Sequence, residues 1–178
     1  MNTSINLIPQ PLSPETFEPY GWMLGKGLVT APATAAFSNA ATDFWHEQAF
    51  DTGPSGQTEV LWVNYRIQDP NITTLENHLL TQQALIPLTG EVIHIVAEST
   101  AEGGPDLSTL KAFRIPQGQG VCMRPGCWHS SRVAGGEVTC LMLTRISTTV
   151  DLVAHLNEGK PAVESELRPL EHNVVVTL

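Results

Sequence analysis

Four residues of this chain have the types and spacing to do chemistry together: Glu76, His78, Gln83 and His129. Glu76 and His78 stand two apart, and so on one face of an extended strand. Gln83 follows five residues later and reaches the same pocket if the chain turns between them. His129 closes the run Gly118-Gln119-Gly120-Val121-Cys122-Met123-Arg124-Pro125-Gly126-Cys127-Trp128-His129, which Gly and Pro punctuate as a turn. Imidazole is the commonest ligand for late transition metals and titrates nearest neutrality. A carboxylate two residues from it can ligate the same ion, orient the ring or act as a general base. The amide oxygen of Gln83 is a weaker, neutral ligand. These four residues therefore form a candidate site for one divalent transition metal ion. Either histidine alone would read as a packed structural residue; the grouping points to a pocket.

The elements that must position these groups read as strands. Glu59 to Ile67 is β-branched and aromatic, and Asp69-Pro70-Asn71 turns it into the strand that carries Glu76. Val92-Ile93-His94-Ile95-Val96-Ala97 is a buried-type strand, followed by strands over residues 110–115 and 138–145. Residues 5–12 suggest an edge strand limited by Pro9 and Pro11. Ser13-Pro14 starts a brief helix, with Ser as N-cap and Pro in the first turn. Trp22-Met23-Leu24 reads as a further strand. Residues 29–43 read as a loop across the mouth of the barrel, and residues 44–46 as a strand or lid segment. Residues 150–156 have helical apolar spacing, and residues 174–176 suggest a strand added to this sheet or to a partner's. Many short strands separated by turn residues make an all-β barrel or sandwich.

Composition narrows the class. The chain has 178 residues, 42% of them hydrophobic and 15% charged, which suits one folded domain. Nine Lys and Arg against 18 Asp and Glu give a net charge of −9, which argues against nucleic acid but not against a small anion held by local groups. No apolar stretch approaches a membrane span. Residues 1–6 lack a basic region followed by an apolar run, so no signal peptide is expected. The three cysteines, Cys122, Cys127 and Cys140, are expected to be free thiols in a cytoplasmic protein. Cys122 and Cys127 lack a second pair to complete a zinc site and read as small buried hydrophobes.

The spacing Glu76-x-His78, four residues, Gln83, six residues, Gly90 resembles the first cupin motif, His-x-His, four residues, Glu, six residues, Gly. The Pro/Gly turn before His129 resembles the second. More narrowly, Glu76-x-His78 with Gln83-Ala84-Leu85-Ile86-Pro87-Leu88, Gly118-Gln119-Gly120-Val121 and Trp128-His129 is similar to the ureidoglycolate lyase family. Leu12 to Gly21 matches how that family begins. The resemblance covers roughly residues 11–145 and leaves residues 146–178 as a C-terminal extension. It implies an all-β, single-domain cupin (jelly-roll) barrel with a few short helices, over residues 1–178, and a homodimer. It also implies cleavage of ureidoglycolate to glyoxylate and urea, in allantoin breakdown.

In that reading Glu76, His78, Arg124 and His129 are the catalytic candidates. Glu76 or His129 would be the base, His78 the acid or a metal ligand. Arg124 or a metal would hold the carboxylate of a small anionic substrate. Three departures stand against it: Met123 and Arg124 replace the family's Tyr and His, and Ser130 follows where the family tends to have His. They support one alternative, a cupin that binds a small organic acid without turning it over; another metal-dependent cupin enzyme is a further alternative. Arg66 reads as a surface residue that could reach the same mouth. His94 reads as a core histidine with one hydrogen bond. Trp45, Trp62 and Trp128 read as core or wall. Asp43 stands where the family carries Arg.

Overall fold

The computed structural model describes residues 4–28 and 36–178. The signal-peptide expectation and the first part of the expected loop over 29–43 fall in part on residues 1–3 and 29–35, outside the described residues. The fold is dominated by strands. These are β1 (Ile5–Leu7), β2 (Gln10–Pro11), β3 (Gly21–Leu24), β4 (Ala36–Ser38), β5 (Asp43–Trp45), β6 (Thr58–Tyr65) and β7 (Asn71–His78). Then follow β8 (Gln83–Pro87), β9 (Val92–Ala97), β10 (Lys111–Ile115), β11 (Gly120–Met123), β12 (Trp128–Arg132), β13 (Val138–Arg145) and β14 (Ser165–Val176). Among the described residues the helices are α1 (Pro14–Phe17) and α2 (Ile146–Glu158), with a 3-10 turn at Leu107–Thr109.

Two sheets make the cupin-type fold: seven strands in the order β1-β14-β7-β12-β9-β10-β2, and five in the order β3-β11-β8-β13-β6. Phe17, Leu85, Val96, Phe113, Val121 and Met142 form one core cluster with residues of both sheets. A second cluster, with Leu75, Ile95, Trp128 and Val174, draws on the seven-stranded sheet. β9 explains why two clusters arise. Val92 and Val96 belong to the first and Ile93, Ile95 and Ala97 to the second, so alternate side chains serve opposite faces and all six residues are buried. That double burial is the reason its sequence is an unbroken apolar run around His94.

Several elements differ from the sequence expectation. Residues 5–11 form two short strands at opposite edges of the same sheet, separated by Ile8 and Pro9. Residues 36–45 are a hairpin, β4–β5, and not a loop. Asn39 Oδ1 accepts from the backbone N–H of Ala41 and Thr42, which closes the turn, and Phe37 stacks on Phe44 at 5.1 Å. Trp62 is an exposed residue on the outer face of β6, whereas Trp128 is fully buried. The helix expected over 150–156 runs over 146–158, and Gly159 ends it in the left-handed conformation with its N–H on the His155 carbonyl. The strand expected at 174–176 extends back to Ser165 and joins this chain's own sheet, between β1 and β7.

Candidate active site and metal centre

The site is built by strand register. Glu76 and His78 lie on one face of β7, and His129 of β12 is directly opposite Glu76 in the antiparallel ladder. Directly opposed residues hold their Cβ atoms within about 5.5 Å, so the second imidazole arrives beside the carboxylate without any loop to place it. The His78 and His129 rings are 5.2 Å apart between centroids. Glu76 Oε1 is 3.4 Å from His129 Nε2 and 3.7 Å from His78 Nε2. Gln83 comes from β8, in the other sheet, and its Nε2 lies 2.9 Å from His78 Nε2. The structure thus gathers Glu76, His78, Gln83 and His129 at one place, both histidines being buried.

Each ring is held by its far nitrogen. His78 Nδ1 is 2.9 Å from Ser165 Oγ, a residue paired with it across β14. His129 Nδ1 donates to the carbonyl of Cys127 at 3.0 Å, which leaves Nε2 as the unprotonated, acceptor nitrogen. The loop before His129 is anchored at Gly126, whose N–H donates to the His78 carbonyl. Gly126 has φ +79°, and Cys127 N–H returns to the Arg124 carbonyl. This is a Pro-Gly turn in which only glycine sits without strain. The turn read from the sequence therefore sets the height of His129 against His78.

The electrostatics favour a neutral His78 beside an ionised Glu76. Burial, with a smaller contribution from the neighbouring His129, pushes the His78 imidazole down to about 4. Burial alone would push the Glu76 carboxyl up, but the two imidazoles outweigh it and hold the group below its ordinary range. His129 Nε2 and Gln83 Oε1 are buried and have no hydrogen-bond partner among the described residues. A lone-pair nitrogen left unpaired in a buried site costs free energy unless something fills it. Ligand atoms of Glu76, His78 and His129 lie within 4.8 Å of one another. Two imidazole nitrogens, one of them orphaned, and one carboxylate form a donor set that fits a divalent transition ion. Gln83 would join as an oxygen ligand only after its amide turned over, because its N–H groups now face His78.

Two cavities meet at this wall. One, of about 260 Å³, is lined by Glu76, His129, Tyr65, Thr74 and Ser131 among others. The other, of about 370 Å³, is lined by Glu76, His78, Gln83 and Tyr65, with residues of β6, β13 and α2 beyond them. Tyr65 and Glu76 belong to both. Sequence reading passed over Tyr65, which stood as one more aromatic in a strand; the inward parity of Leu61, Val63 and Tyr65 was the available signal. Burial pushes its phenol well above the ordinary value, against a hydrogen bond with Ser131 that acts the other way. His94 is fully buried and makes two contacts where one was expected, Nδ1 with Ser131 Oγ at 3.0 Å and Nε2 with Met123 Sδ at 3.1 Å.

Arg124 does not join the group. Its guanidinium bonds the carbonyl of Glu18, pairs with the Glu18 carboxylate at 3.1 Å and stacks 4.6 Å over Trp22. It lines a separate cavity with Tyr20, Glu98 and Cys127. Arg124 opens the turn that His129 ends, and the four intervening residues separate it from the Glu76 wall. Arg66 likewise pairs with Glu137 at the surface. Among the described residues lining the two cavities at the triad, none is Lys or Arg. The three cysteines are buried and free.

The ureidoglycolate lyase family model matches residues 4–164. Ureidoglycolate lyase from Escherichia coli O1:K1 / APEC is 33% identical over 135 residues, 72% of this chain and 80% of the relative. The protein of the same name from Shigella boydii serotype 18 gives the same figures. Among solved structures, a dTDP sugar isomerase from Desulfovibrio desulfuricans G20 aligns over 76% of this chain and 80% of its own, with 10% identity and a TM-score of 0.45. A dTDP-4-dehydrorhamnose 3,5-epimerase from Sulfolobus tokodaii aligns over 80% and 81%, with 10% identity and a TM-score of 0.40. No helix among the described residues is long and apolar enough to cross a membrane.

Proposed function

The chain belongs to the ureidoglycolate lyase family, and from that premise we propose that it cleaves ureidoglycolate to glyoxylate and urea at the wall of Glu76, His78 and His129. The observation that carries this reading is the convergence of the three ligand atoms within 4.8 Å, beside two cavities, at residues the family resemblance had singled out. The reaction breaks one C–N bond. The hemiaminal hydroxyl loses a proton, its oxygen becomes the aldehyde oxygen of glyoxylate, and the urea nitrogen gains a proton. Glu76 is ionised at neutral pH and takes the hydroxyl proton. Tyr65, protonated throughout the working range, donates a hydrogen bond to the departing urea, and Glu76 returns the proton to its nitrogen.

Glu76, His78 and His129 would hold the metal ion, one divalent transition metal, and it would supply Lewis acidity and positive charge toward the substrate's carboxylate and hydroxyl oxygens. Among the described residues Arg124 is turned away, and no Lys or Arg lines either cavity to supply that charge. Ser165 and the Cys127 carbonyl keep both Nε2 atoms facing inward. A urea-release assay with ureidoglycolate, run on the purified chain with its metal content measured, tests the proposal; absence of glyoxylate at any metal loading would defeat it.

The same reading takes residues 1–178 as one cupin-type domain, supported by β14 of the C-terminal extension lying inside the main sheet. It places the protein in the cytoplasm, consistent with three buried free thiols. It also takes the chain as a homodimer, supported by β6 standing at the edge of its sheet among the described strands and by the exposed Val60 and Trp62 on it. Sedimentation of wild type and Trp62→Lys checks the dimer; a monomer at micromolar wild-type protein would remove it.

A further inference from the structure

The larger cavity has a wall that ureidoglycolate does not use. Opposite Glu76, His78 and Gln83 it is formed by Leu61 and Val63 of β6, Met142 of β13, and Leu152, Val153 and Leu156 of α2. Ureidoglycolate carries a carboxylate, a hydroxyl and a urea on one carbon, so it presents no hydrocarbon to these six side chains. A polar substrate against an apolar wall gains nothing from it, whereas each methylene laid there gains about three- to fourfold in affinity.

The wall is a fixed part of the fold. α2 is tied down along the barrel by the Thr149 hydroxyl on the Glu59 carboxylate. Thr148 bonds Glu164, and the Asp151 carboxylate accepts from the backbone N–H of Val163 and Glu164. Leu152 and Leu156 are four apart and so share one helix face, with Val153 beside them. Val153 and Leu156 remain 48% and 65% exposed, which leaves the apolar side of the cavity open to an entering group.

We propose that this site accepts 2-oxo acids bearing a short hydrocarbon substituent, and the hemiaminals they form with urea, with the substituent against Leu61, Val63, Met142, Leu152, Val153 and Leu156. The proposal rests on Glu76, His78 and His129 being the acid-binding centre. Turnover of such a hemiaminal needs no redox partner. The C–N bond breaks, the hydroxyl proton ends on the urea nitrogen, and the 2-oxo acid and urea are released.

The test is calorimetric titration of the full chain, as purified, with glyoxylate, pyruvate, 2-oxobutanoate and 2-oxopentanoate. The expected result is a Kd that falls about two- to fourfold with each added carbon. Leu156→Ser, at an exposed position where folding is not at risk, should shrink the ratio between the glyoxylate and 2-oxopentanoate constants at least twofold. A series flat within twofold, or one in which the longer acids fail to bind, overturns the proposal. A ratio untouched by Leu156→Ser and equally by Leu152→Ala overturns the assignment to this wall. Urea release from ureidoglycolate is scored separately. A rising series without urea release keeps the apolar subsite and removes the lyase reading, and urea release with a flat series does the reverse.

Discussion

The Glu76 wall and the Arg124 rim are both ends of the same turn, and they solve opposite problems. At the rim, Arg124 is partly exposed and satisfied: a carbonyl, a carboxylate and an indole face occupy its guanidinium. At the wall, His129 is buried and its Nε2 has no hydrogen-bond partner among the described residues, and Gln83 Oε1 is likewise orphaned there. A satisfied surface arginine stabilises little and is replaceable. A buried acceptor left open is costly, and a fold keeps one where a ligand or ion will complete it. Residue type pointed equally to both regions; only the state of their hydrogen bonds separates them.

The sharpest way to break this contrast is at the carboxylate. Glu76→Gln keeps the shape and removes the base, and should lower the urea-release kcat by about 10²- to 10⁴-fold. A variant within tenfold of wild type would move the chemistry elsewhere. Ser165→Ala leaves every cavity-facing group in place but frees His78 Nδ1. Metal affinity or activity should fall by about 10- to 100-fold, read by metal titration beside kinetics.

The wall should also be acid-sensitive where the rim is not. Burial holds His78 at about 4 and His94 at about 3, while in the unfolded chain both titrate near 6.5. Between those values the unfolded state binds protons that the native state does not, so stability is complete above about pH 6.5 and is lost as pH falls toward 4 and then 3. The loss approaches about 1.4 kcal/mol per pH unit for each imidazole. Urea midpoints at pH 7, 6, 5 and 4.5 measure the slope, and His94→Asn should make it shallower. The smallest effect is reserved for the rim. Arg124→Ala should cost about 0–1 kcal/mol of stability and change kcat/KM by less than about twofold. A loss of glyoxylate affinity beyond tenfold would return Arg124 to the site.

Much of this protein was legible in its sequence. The period-two strands, the Pro-Gly turn at Gly126 and the Ser13 cap are local signals, set by the conformations those residues prefer, and they survive folding as read. So did the pairing of Glu76 with His78, because strand parity needs no knowledge of the partner strand. What no local rule supplied was register. That His129 lies opposite Glu76, that Ser165 from the C-terminal segment lies opposite His78, and that Tyr65 and α2 complete the cavities all depend on contacts between residues far apart in the chain. The same is true of Arg124, whose charge is visible in the sequence but whose partner, Glu18, is 106 residues away. Side-chain type and spacing limit what a residue can do; which neighbours satisfy it, and so whether it is left free to act, is decided only when the sheets close.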